Sequence, residues 1–305
     1  MRSARFSPLE WGSLKAVILA RKLLVRVPRS LLPERQRRLQ RWLRGSEEAI
    51  RIGRSRAVVV SCAKSGRTWL HVMLGAYEQA TGRDLRIYFT HDNYIRDVAG
   101  AEGRPWHQGV KVIVLARHPA DISLSMFHHL RHRMTPRKRW LNYYPEPKPD
   151  MSPFDFVLRE PKGMAHAVGL LNRWAAETRG RQDALTVRYE DLRADARKEL
   201  ARLVAFVDGK VDQQAIDQAV EYGSFENMQR RERESADRPD APRKLKPGDA
   251  GNLQSFKTRS GEAGGYRRQF DADQVSQIDA VVRETLDPHY GYASAAETAA
   301  RAAGR

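Results

Sequence analysis

A short turn that combines basic and hydroxyl side chains is the part of the sequence best equipped for chemistry. Lys64, Ser65 and Thr68 place an ammonium and two hydroxyl groups around Gly66. Such groups bind anions, because charge-assisted hydrogen bonds to phosphate or sulfate oxygens are strong. The residue types therefore predict a phosphate- or sulfate-binding site, which the neighbouring elements must position.

Those elements can be read on both sides of the turn. A β-branched run at 58–60 predicts a buried strand. After the turn, apolar residues recur at helical spacing, at Trp69, Leu70, Met73, Leu74 and Tyr77. A strand, a small-residue turn and a helix together direct backbone N–H groups at a bound anion. We therefore predict a P-loop-like phosphate-binding turn directly after this strand.

A P-loop for Mg²⁺-nucleotides fits this turn poorly. That motif ends in Gly-Lys-Ser/Thr, whereas Lys64 precedes the pair Ser65-Gly66 here. Its first glycine is also replaced, because Ser61 stands at the expected place. A small-molecule kinase that uses Mg-ATP would share the strand, turn and helix, and it stays open as an alternative.

The turn resembles a motif of the sulfotransferases that use 3′-phosphoadenosine-5′-phosphosulfate (PAPS), which reads Pro-Lys-Ser-Gly-Thr-Thr-Trp. This chain reads Ala-Lys-Ser-Gly-Arg-Thr-Trp over 63–69, and it departs from the motif at Ala63 and Arg67. The resemblance implies that Lys64 is catalytic and stabilises the leaving 5′-phosphate. It also implies that the 5′ end of PAPS is bound by Ser65, Gly66, Arg67, Thr68 and Trp69.

Two later stretches resemble the same family. Thr90-His91 follows a strand predicted over 85–90, at the strand end where ligands bind in parallel sheets. The resemblance implies that His91 is the general base. Arg117 ends a strand predicted over 110–116, and Ser125 lies on the helix that Pro119 begins. The resemblance implies that Arg117 and Ser125 bind the 3′-phosphate, for which a guanidinium fork is well suited.

Three more segments agree with the family in chain order. The first is Tyr-Glu-Asp at 189–191 after a strand predicted over 184–188, and the second is Gly-Ser-Phe-Glu-Asn-Met at 223–228. The third is a glycine-rich stretch at 259–267, which resembles the family's phosphate clamp with Ser260 in place of Lys. The resemblance, which spans 57–268, implies further PAPS contacts by Tyr189, Phe225, Met228, Arg259, Ser260 and Gly261.

The alternation of strands and helices predicts an α/β fold. We expect a single three-layer domain over 57–292 with a central parallel sheet, preceded by a basic leader at 1–56 and followed by a flexible tail at 293–305. Prolines predict an irregular segment over 131–161. Its aromatic residues either anchor it to the core or line an acceptor pocket. Residues 229–255 are expected to form a polar loop.

The amino-acid composition indicates which class of partner the protein binds and in which compartment it is located. The net charge of +17 predicts an anionic partner. A non-catalytic nucleic-acid-binding protein is therefore a second alternative, although the motifs speak against nucleic acid. The single cysteine, Cys62, excludes an intrachain disulfide and favours a cytoplasmic location. No metal is expected, because the His128 and His132 pair has no further ligand in sight.

The basic leader admits two interpretations. Its helices, interrupted near Pro28, either lie peripherally on an anionic membrane or pack on the catalytic domain. Its longest early apolar run, at 16–20, is too short to span a membrane. The sequence as a whole predicts transfer of a sulfuryl group from PAPS to a hydroxyl or amine of an acceptor, whose identity it leaves open.

Overall fold

A parallel four-stranded sheet is the centre of the computed structural model. The structure describes residues 8–24, 33–99, 106–146, 148–235, 247, 249, 251–252, 255–258 and 261–292. The strands are β1 (Ala57–Ser61), β2 (Ile87–Thr90), β3 (Lys111–Ala116) and β4 (Ala184–Arg188). Their order in the sheet is β2-β1-β3-β4, and every pairing is parallel. The predicted α/β fold is confirmed.

The two central strands are buried on both faces. Val58 and Val60 of β1 pack into one apolar cluster, whereas Ala57 and Val59 pack into another on the opposite face. Near-continuous apolar runs are typical of parallel strands that helices cover on both sides. In register, Val60 pairs with Thr90 of β2 and with Val114 of β3, so the strands end at one edge of the sheet. The loops that follow them therefore lie together.

The helices cover both faces of this sheet. Two precede it, α1 (Pro8–Leu24) and α2 (Pro33–Gly53). The next ones are α3 (Arg67–Thr81), α4 (Ile95–Ala99), α5 (Pro119–His132), α6 (Pro136–Leu141), α7 (Pro153–Arg159) and α8 (Met164–Thr178). After β4 come α9 (Tyr189–Ala194), α10 (Ala196–Asp208), α11 (Gln213–Tyr222), α12 (Phe225–Glu234), α13 (Tyr266–Gln269), α14 (Ala272–Thr285) and a 3-10 turn (Pro288–Tyr290).

Two predicted loops contain helices. Within 131–161, α6 and α7 each begin at a proline, where the preceding Thr135 or Ser152 side chain accepts a backbone N–H. Proline at the first helical position costs little, because that N–H would have no partner within the helix. The predicted polar loop at 229–255 is also wrong at its start, since α12 continues to Glu234 from its cap at Ser224. The predicted tail at 293–305 lies outside the described residues.

The second N-terminal helix packs on the sheet domain. α2 contacts α1, α4, α6 and the strand β2. Leu43 and Ile52 are buried, and Gly45 lets the helix approach α4 closely, because a Cβ there would lie 2.3 Å from the Tyr94 carbonyl oxygen. Arg41 donates hydrogen bonds to the carbonyl oxygens of Asn93 and Leu141. Among the described residues, none of the helices has both the length and the apolar character that crossing a membrane requires.

Candidate functional site

A cavity of about 1050 Å³ opens where the strands end. Ligand pockets have volumes of roughly 300–1,000 Å³, so this one is large enough for a nucleotide and a second molecule. Twelve of the predicted site residues line it, namely Lys64, Gly66, Arg67, Thr68, Trp69, His91, Arg117, Ser125, Tyr189, Phe225, Met228 and Gly261. Ser65 is buried in the turn and does not line the cavity, while Arg259 and Ser260 lie outside the described residues.

The predicted phosphate-binding turn, residues 61–66, has unusual backbone conformations. Lys64 has a φ of 82° and Gly66 a φ of 90°, both in the left-handed region. A Cβ at Gly66 would lie 2.5 Å from Cδ2 of Tyr189, which only glycine avoids. The turn thus leads from β1 into α3, whose first N–H groups have no partner within the helix. These groups and the Lys64 side chain are available at the cavity.

Arg117 and Tyr189 connect this turn to two distant segments. The guanidinium of Arg117 donates to the carbonyl oxygens of Lys64 (3.1 Å) and Glu262 (2.8 Å). It also lies 4.2 Å from the ring centroid of Tyr189, whose hydroxyl donates to the carbonyl oxygen of Gly261 at 2.8 Å. The loops after β1, β3 and β4 are therefore held against the glycine-rich stretch.

That glycine-rich stretch approaches the cavity closely. Gly261 has a φ of 62°, and a Cβ there would lie 2.5 Å from the ring of Phe225. The stretch is fixed to α5 by Asp121, whose carboxylate accepts the N–H groups of Gly264 (2.7 Å) and Tyr266 (3.1 Å). Glycine at 261 therefore allows an aromatic ring and the backbone to meet at the cavity wall.

Aromatic rings gather at the same end of the cavity. Trp69 meets Tyr189 edge to face, with ring centroids 5.8 Å apart, and its indole N–H donates to the carbonyl oxygen of Gly223 at 2.6 Å. Phe225 and Met228 line the cavity beside them. We call this part of the cavity, from Gly66 and Arg117 to Phe225 and Met228, the nucleotide end. Flat apolar surfaces of this kind can stack on a purine base.

His91 lines the cavity and is held in one orientation. Its Nδ1 lies 3.0 Å from the carbonyl oxygen of Ser61, which fixes the proton on Nδ1 and leaves Nε2 as the acceptor. The turn around it is fixed by Asp92, which accepts from Arg96 (2.7 Å) and from the indole N–H of Trp174 (3.0 Å). Burial, and then the charge of Arg67, hold the pKa of His91 well below its ordinary value, so the free protein carries it neutral.

Lys64 is surrounded by other cations. Burial lowers its pKa well below the ordinary value, and the nearby charges of Arg133, Lys257, Arg117 and Lys138 lower it further. Crowded like charges in a low-dielectric cavity strongly attract a bound anion. The electrostatic environment of Lys64 in the free protein therefore favours the binding of an anion beside it.

Several residues that line the cavity belong to none of the sequence motifs. Arg44 and Glu48 come from α2, and Lys138 comes from α6. Glu48 accepts the N–H of Ile95 (3.1 Å) and the Thr90 hydroxyl (3.3 Å), and burial raises its pKa to about 7. Helical spacing of Arg44 and Glu48 is the only sequence signal that puts them on one face of α2. No pattern in the sequence indicates that this face of α2 lines the cavity.

Comparison with known proteins identifies the family. The model of the sulfotransferase domain matches residues 100–289, more than half of the chain. The chain belongs to the sulfotransferase family. The predicted family membership is confirmed, although the matched segment begins after the phosphate-binding turn and after His91.

Curated sulfotransferases are similar over part of their length. Human sulfotransferase 1C2 is 23% identical over 184 residues, and mouse sulfotransferase 1B1 is 25% identical over 183 residues. These alignments include 60% and 59% of this chain, and they span 56% of each relative. The similarity thus covers little more than half the length of the sulfotransferases it matches.

Solved structures support the fold. Mouse sulfotransferase SULT7A1, solved as a complex with PAP, superposes with a TM-score of 0.54 at 18% identity, and the superposition covers 76% of this chain and 83% of that protein. Retinol dehydratase, in complex with androsterone and the inactive cofactor PAP, gives a TM-score of 0.51 at 19% identity, with 76% and 80% covered. This chain thus has a fold similar to those of the two proteins.

Proposed function

We propose that this protein transfers the sulfuryl group of PAPS to an oxygen or nitrogen of an acceptor. The observation that carries the proposal is the convergence at Gly66 and Gly261, where Tyr189 and Phe225 pack against the two glycines at one end of a single cavity. In the reaction, the bond between the sulfur and the bridging oxygen of the 5′-phosphate breaks and a bond from sulfur to the acceptor forms. The acceptor proton leaves to a base, and PAP is the other product.

The nucleotide end suits an adenosine that carries two phosphate groups. Arg117 would bind the 3′-phosphate and the aromatic rings would bind the base, while the turn would bind the 5′ end. One unpaired atom supports this fit, because Nε of Arg117, which lines the cavity, is buried and has no hydrogen-bond partner among the described residues. A buried polar group without a partner costs about 1–3 kcal/mol, which a hydrogen bond to a phosphate oxygen would offset. Both structural neighbours named above were solved with PAP.

The two catalytic roles follow from position and charge. Lys64 would stabilise the negative charge that develops on the leaving 5′-phosphate. His91 presents an unprotonated Nε2 towards the cavity, so it can accept the acceptor's proton. Its depressed pKa makes it a weak base in the free protein, and the negative charges of PAPS would raise that pKa towards neutrality.

Ligand-induced stabilisation separates this proposal from a kinase. A ligand at 100 times its Kd stabilises a protein by about 2.7 kcal/mol. We expect 3′,5′-ADP to raise the Tm of the full chain, and Mg-ATP at the same concentration to raise it much less. Labelled PAPS with a cell extract should then yield labelled product, and Lys64→Ala should reduce that yield about 10²–10³-fold. Stabilisation by Mg-ATP alone would favour the kinase, and steeply salt-dependent DNA binding without 3′,5′-ADP binding would favour the nucleic-acid alternative.

We also propose a peripheral contact between the N-terminal helices and an anionic membrane. Leu19 of α1 is 58% exposed and Trp42 of α2 is 49% exposed, and Leu23 and Leu39 are exposed near them in sequence. Basic helices with exposed apolar side chains bind anionic lipid surfaces, at about 1 kcal/mol per basic side chain near the surface.

Because α2 contributes to the cavity, substitutions test this contact better than truncation. We expect the full chain to sediment with phosphatidylglycerol vesicles, and Trp42→Gln with Leu39→Gln to sediment less. High salt should release both proteins. Equal sedimentation of the variant and the parent chain would refute the contact.

A further inference from the structure

The cavity carries more positive charge than is required to neutralise PAPS. Among the residues that the structure describes, eleven Lys and Arg side chains line it, against four carboxylates. PAPS brings roughly four negative charges, counting about two on the 3′-phosphate and one each on the 5′-phosphate and the sulfate. An excess of about three positive charges would remain after PAPS binds. Part of this excess lies in one region of the lining.

Three basic side chains from different elements form that region, which we call the cation subsite: Arg44 of α2, Arg67 of α3 and Lys138 of α6. Burial lowers the pKa of Lys138, and the charges of Arg67, Arg133 and Arg44 lower it further. No carboxylate is among the groups that shift the pKa of Lys138. Arg67 and Arg44 thus both lie close enough to Lys138 for their charges to act on it.

Among the described residues, no carboxylate pairs with the side chain of Arg44, Arg67 or Lys138. Within the described part of the chain, the side chains of Arg67 and Lys138 form neither a hydrogen bond nor an ion pair. The Arg44 guanidinium lies 5.2 Å from the ring centroid of Tyr94, and its buried Nε has no hydrogen-bond partner there. By contrast, Arg96 on the same cavity wall pairs with Asp92 and Glu177. Unpaired cations at a partly buried wall are costly unless a ligand anion compensates them.

The cation subsite and His91 line the same cavity. Glu48, one turn after Arg44 on α2, accepts hydrogen bonds from the Thr90 hydroxyl and the N–H of Ile95, so this face of α2 packs against the turn that carries His91. The charges of Arg67 and Lys138 act on the imidazole, and of the three cations only Lys138 also acts on Lys64. Glu48 is the carboxylate whose charge acts on Arg67. Its pKa of about 7 leaves it partly protonated at neutral pH. The subsite is therefore positioned for the molecule that gives its proton to His91.

We propose that the acceptor is itself an anion, and that Arg44, Arg67 and Lys138 bind its carboxylate, phosphate or sulfate group while its nucleophile faces His91. This inference rests on the proposed sulfuryl transfer. The same chemistry is offered by a small metabolite and by the headgroup of an acidic lipid. Neutral phenols and sterols would leave the three cations uncompensated.

Phosphate binding to the nucleotide complex tests the subsite. Inorganic phosphate is titrated by calorimetry into the full chain saturated with 3′,5′-ADP, at constant ionic strength. We expect a millimolar Kd, weakened at least tenfold by Lys138→Gln and by Arg44→Gln, and restored by Arg44→Lys. Arg38→Gln, which removes an exposed charge from the same helix, should change nothing. The Kd for 3′,5′-ADP should stay within twofold in each variant.

Several outcomes would overturn the inference. These are the absence of phosphate binding to the wild-type complex, equal phosphate binding by the variants, or variants that weaken PAPS binding and leave phosphate binding intact. In the last case the cations serve the sulfuryl group of PAPS. Failure of the wild type to bind 3′,5′-ADP would instead refute the proposed function, and phosphate binding lost on Lys138→Gln would still establish the subsite.

Labelled products distinguish the sources of the anion. Extract is incubated with the full chain and PAPS that is labelled in its sulfuryl group, and then extracted with chloroform and methanol. The labelled product of each phase is purified, acid then removes its sulfate, and the released acceptor is identified by mass spectrometry and its charge by anion exchange. Anionic acceptors from the organic phase indicate a lipid headgroup, and those from the aqueous phase indicate a small metabolite. Acceptors that are neutral after removal of the sulfate would overturn the inference.

Discussion

Substitution of Gly66 by alanine is the sharpest test of how the nucleotide end is built. The new Cβ would lie 2.5 Å from Cδ2 and 2.9 Å from Cε2 of Tyr189, at a backbone φ of 90°. Real Cβ atoms do not approach that closely, so the ring or the turn must move. The left-handed conformation adds about 1–2 kcal/mol of strain for an L-residue.

Movement of Tyr189 would disturb two contacts at once. Its hydroxyl donates to Gly261 at 2.8 Å, and its ring supports the Arg117 guanidinium at 4.2 Å. A neutral hydrogen bond is worth about 0.5–1.5 kcal/mol and a cation–π contact about 0.5–2 kcal/mol. We therefore expect Gly66→Ala to weaken 3′,5′-ADP binding by about 1–3.5 kcal/mol in all, or roughly 5- to 400-fold.

Gly75→Ala is the matched control, because Gly75 lies in the same helix α3 and has no atom within 4 Å of the Cβ position. It should leave 3′,5′-ADP binding unchanged and raise the free energy of unfolding by about 0.5–1 kcal/mol, as alanine does in a helix interior. The assay is calorimetric titration of both variants after chemical denaturation has confirmed that they fold. Wild-type affinity in folded Gly66→Ala would refute the close packing of Tyr189 on the turn.

Three further substitutions probe the same cavity. Arg117→Ala should weaken 3′,5′-ADP binding by about 1.5–3 kcal/mol, the value of a hydrogen bond to a charged group, and unchanged calorimetric affinity would exclude Arg117 from the phosphate site. His91→Ala should abolish most turnover of labelled PAPS and leave 3′,5′-ADP binding nearly intact, whereas normal turnover would require another base. Glu48→Gln should change the pH dependence of stability. The folded pKa of about 7 lies above the ordinary 4.5, so the wild type loses free energy of unfolding as pH rises between these values, by at most about 3 kcal/mol. The amide cannot ionise, so the variant's Tm should fall less between pH 5 and pH 8, and parallel Tm profiles would contradict the raised pKa.

Sequence patterns predicted the elements whose periodicity is set by local packing. The strand at 57–61 and the helix that follows it are where the apolar pattern placed them, and Gly82 ends that helix in the left-handed conformation. The strand predicted from Leu85 begins only at Ile87, because Arg86 has a φ of 52° and interrupts the extended backbone. The pattern of apolar residues does not reveal a single residue with a left-handed backbone conformation.

The sequence motifs assigned Gly66, Arg117, Tyr189, Phe225 and Gly261 to one site, and the structure brings them to one end of the cavity, because their contacts depend on backbone geometry at strand ends. Glycine at 66 and at 261 is required by a positive φ and a facing aromatic ring, so these positions can be recognised in the sequence. The cation subsite has no such sequence signal. Arg44 and Lys138 lie 94 positions apart and line the same cavity only because α2 and α6 pack on each other. Side chains brought together by tertiary packing have no fixed spacing.

The N-terminal helix α2 therefore has a chemical reason to be part of the site, whatever α1 does at a membrane. Without Glu48, the N–H of Ile95 and the Thr90 hydroxyl would lose an acceptor directly beside His91. Each buried polar group left without a partner costs about 1–3 kcal/mol, and this cost would destabilise the turn that orients the His91 imidazole. Arg44, one turn earlier on the same helix, faces the cavity as well. Under the proposed acceptor binding, α2 shapes the turn that carries His91 and also supplies a cation for the acceptor. Substitutions on the cavity face of α2 should therefore alter the use of acceptors more than they alter the affinity for PAPS.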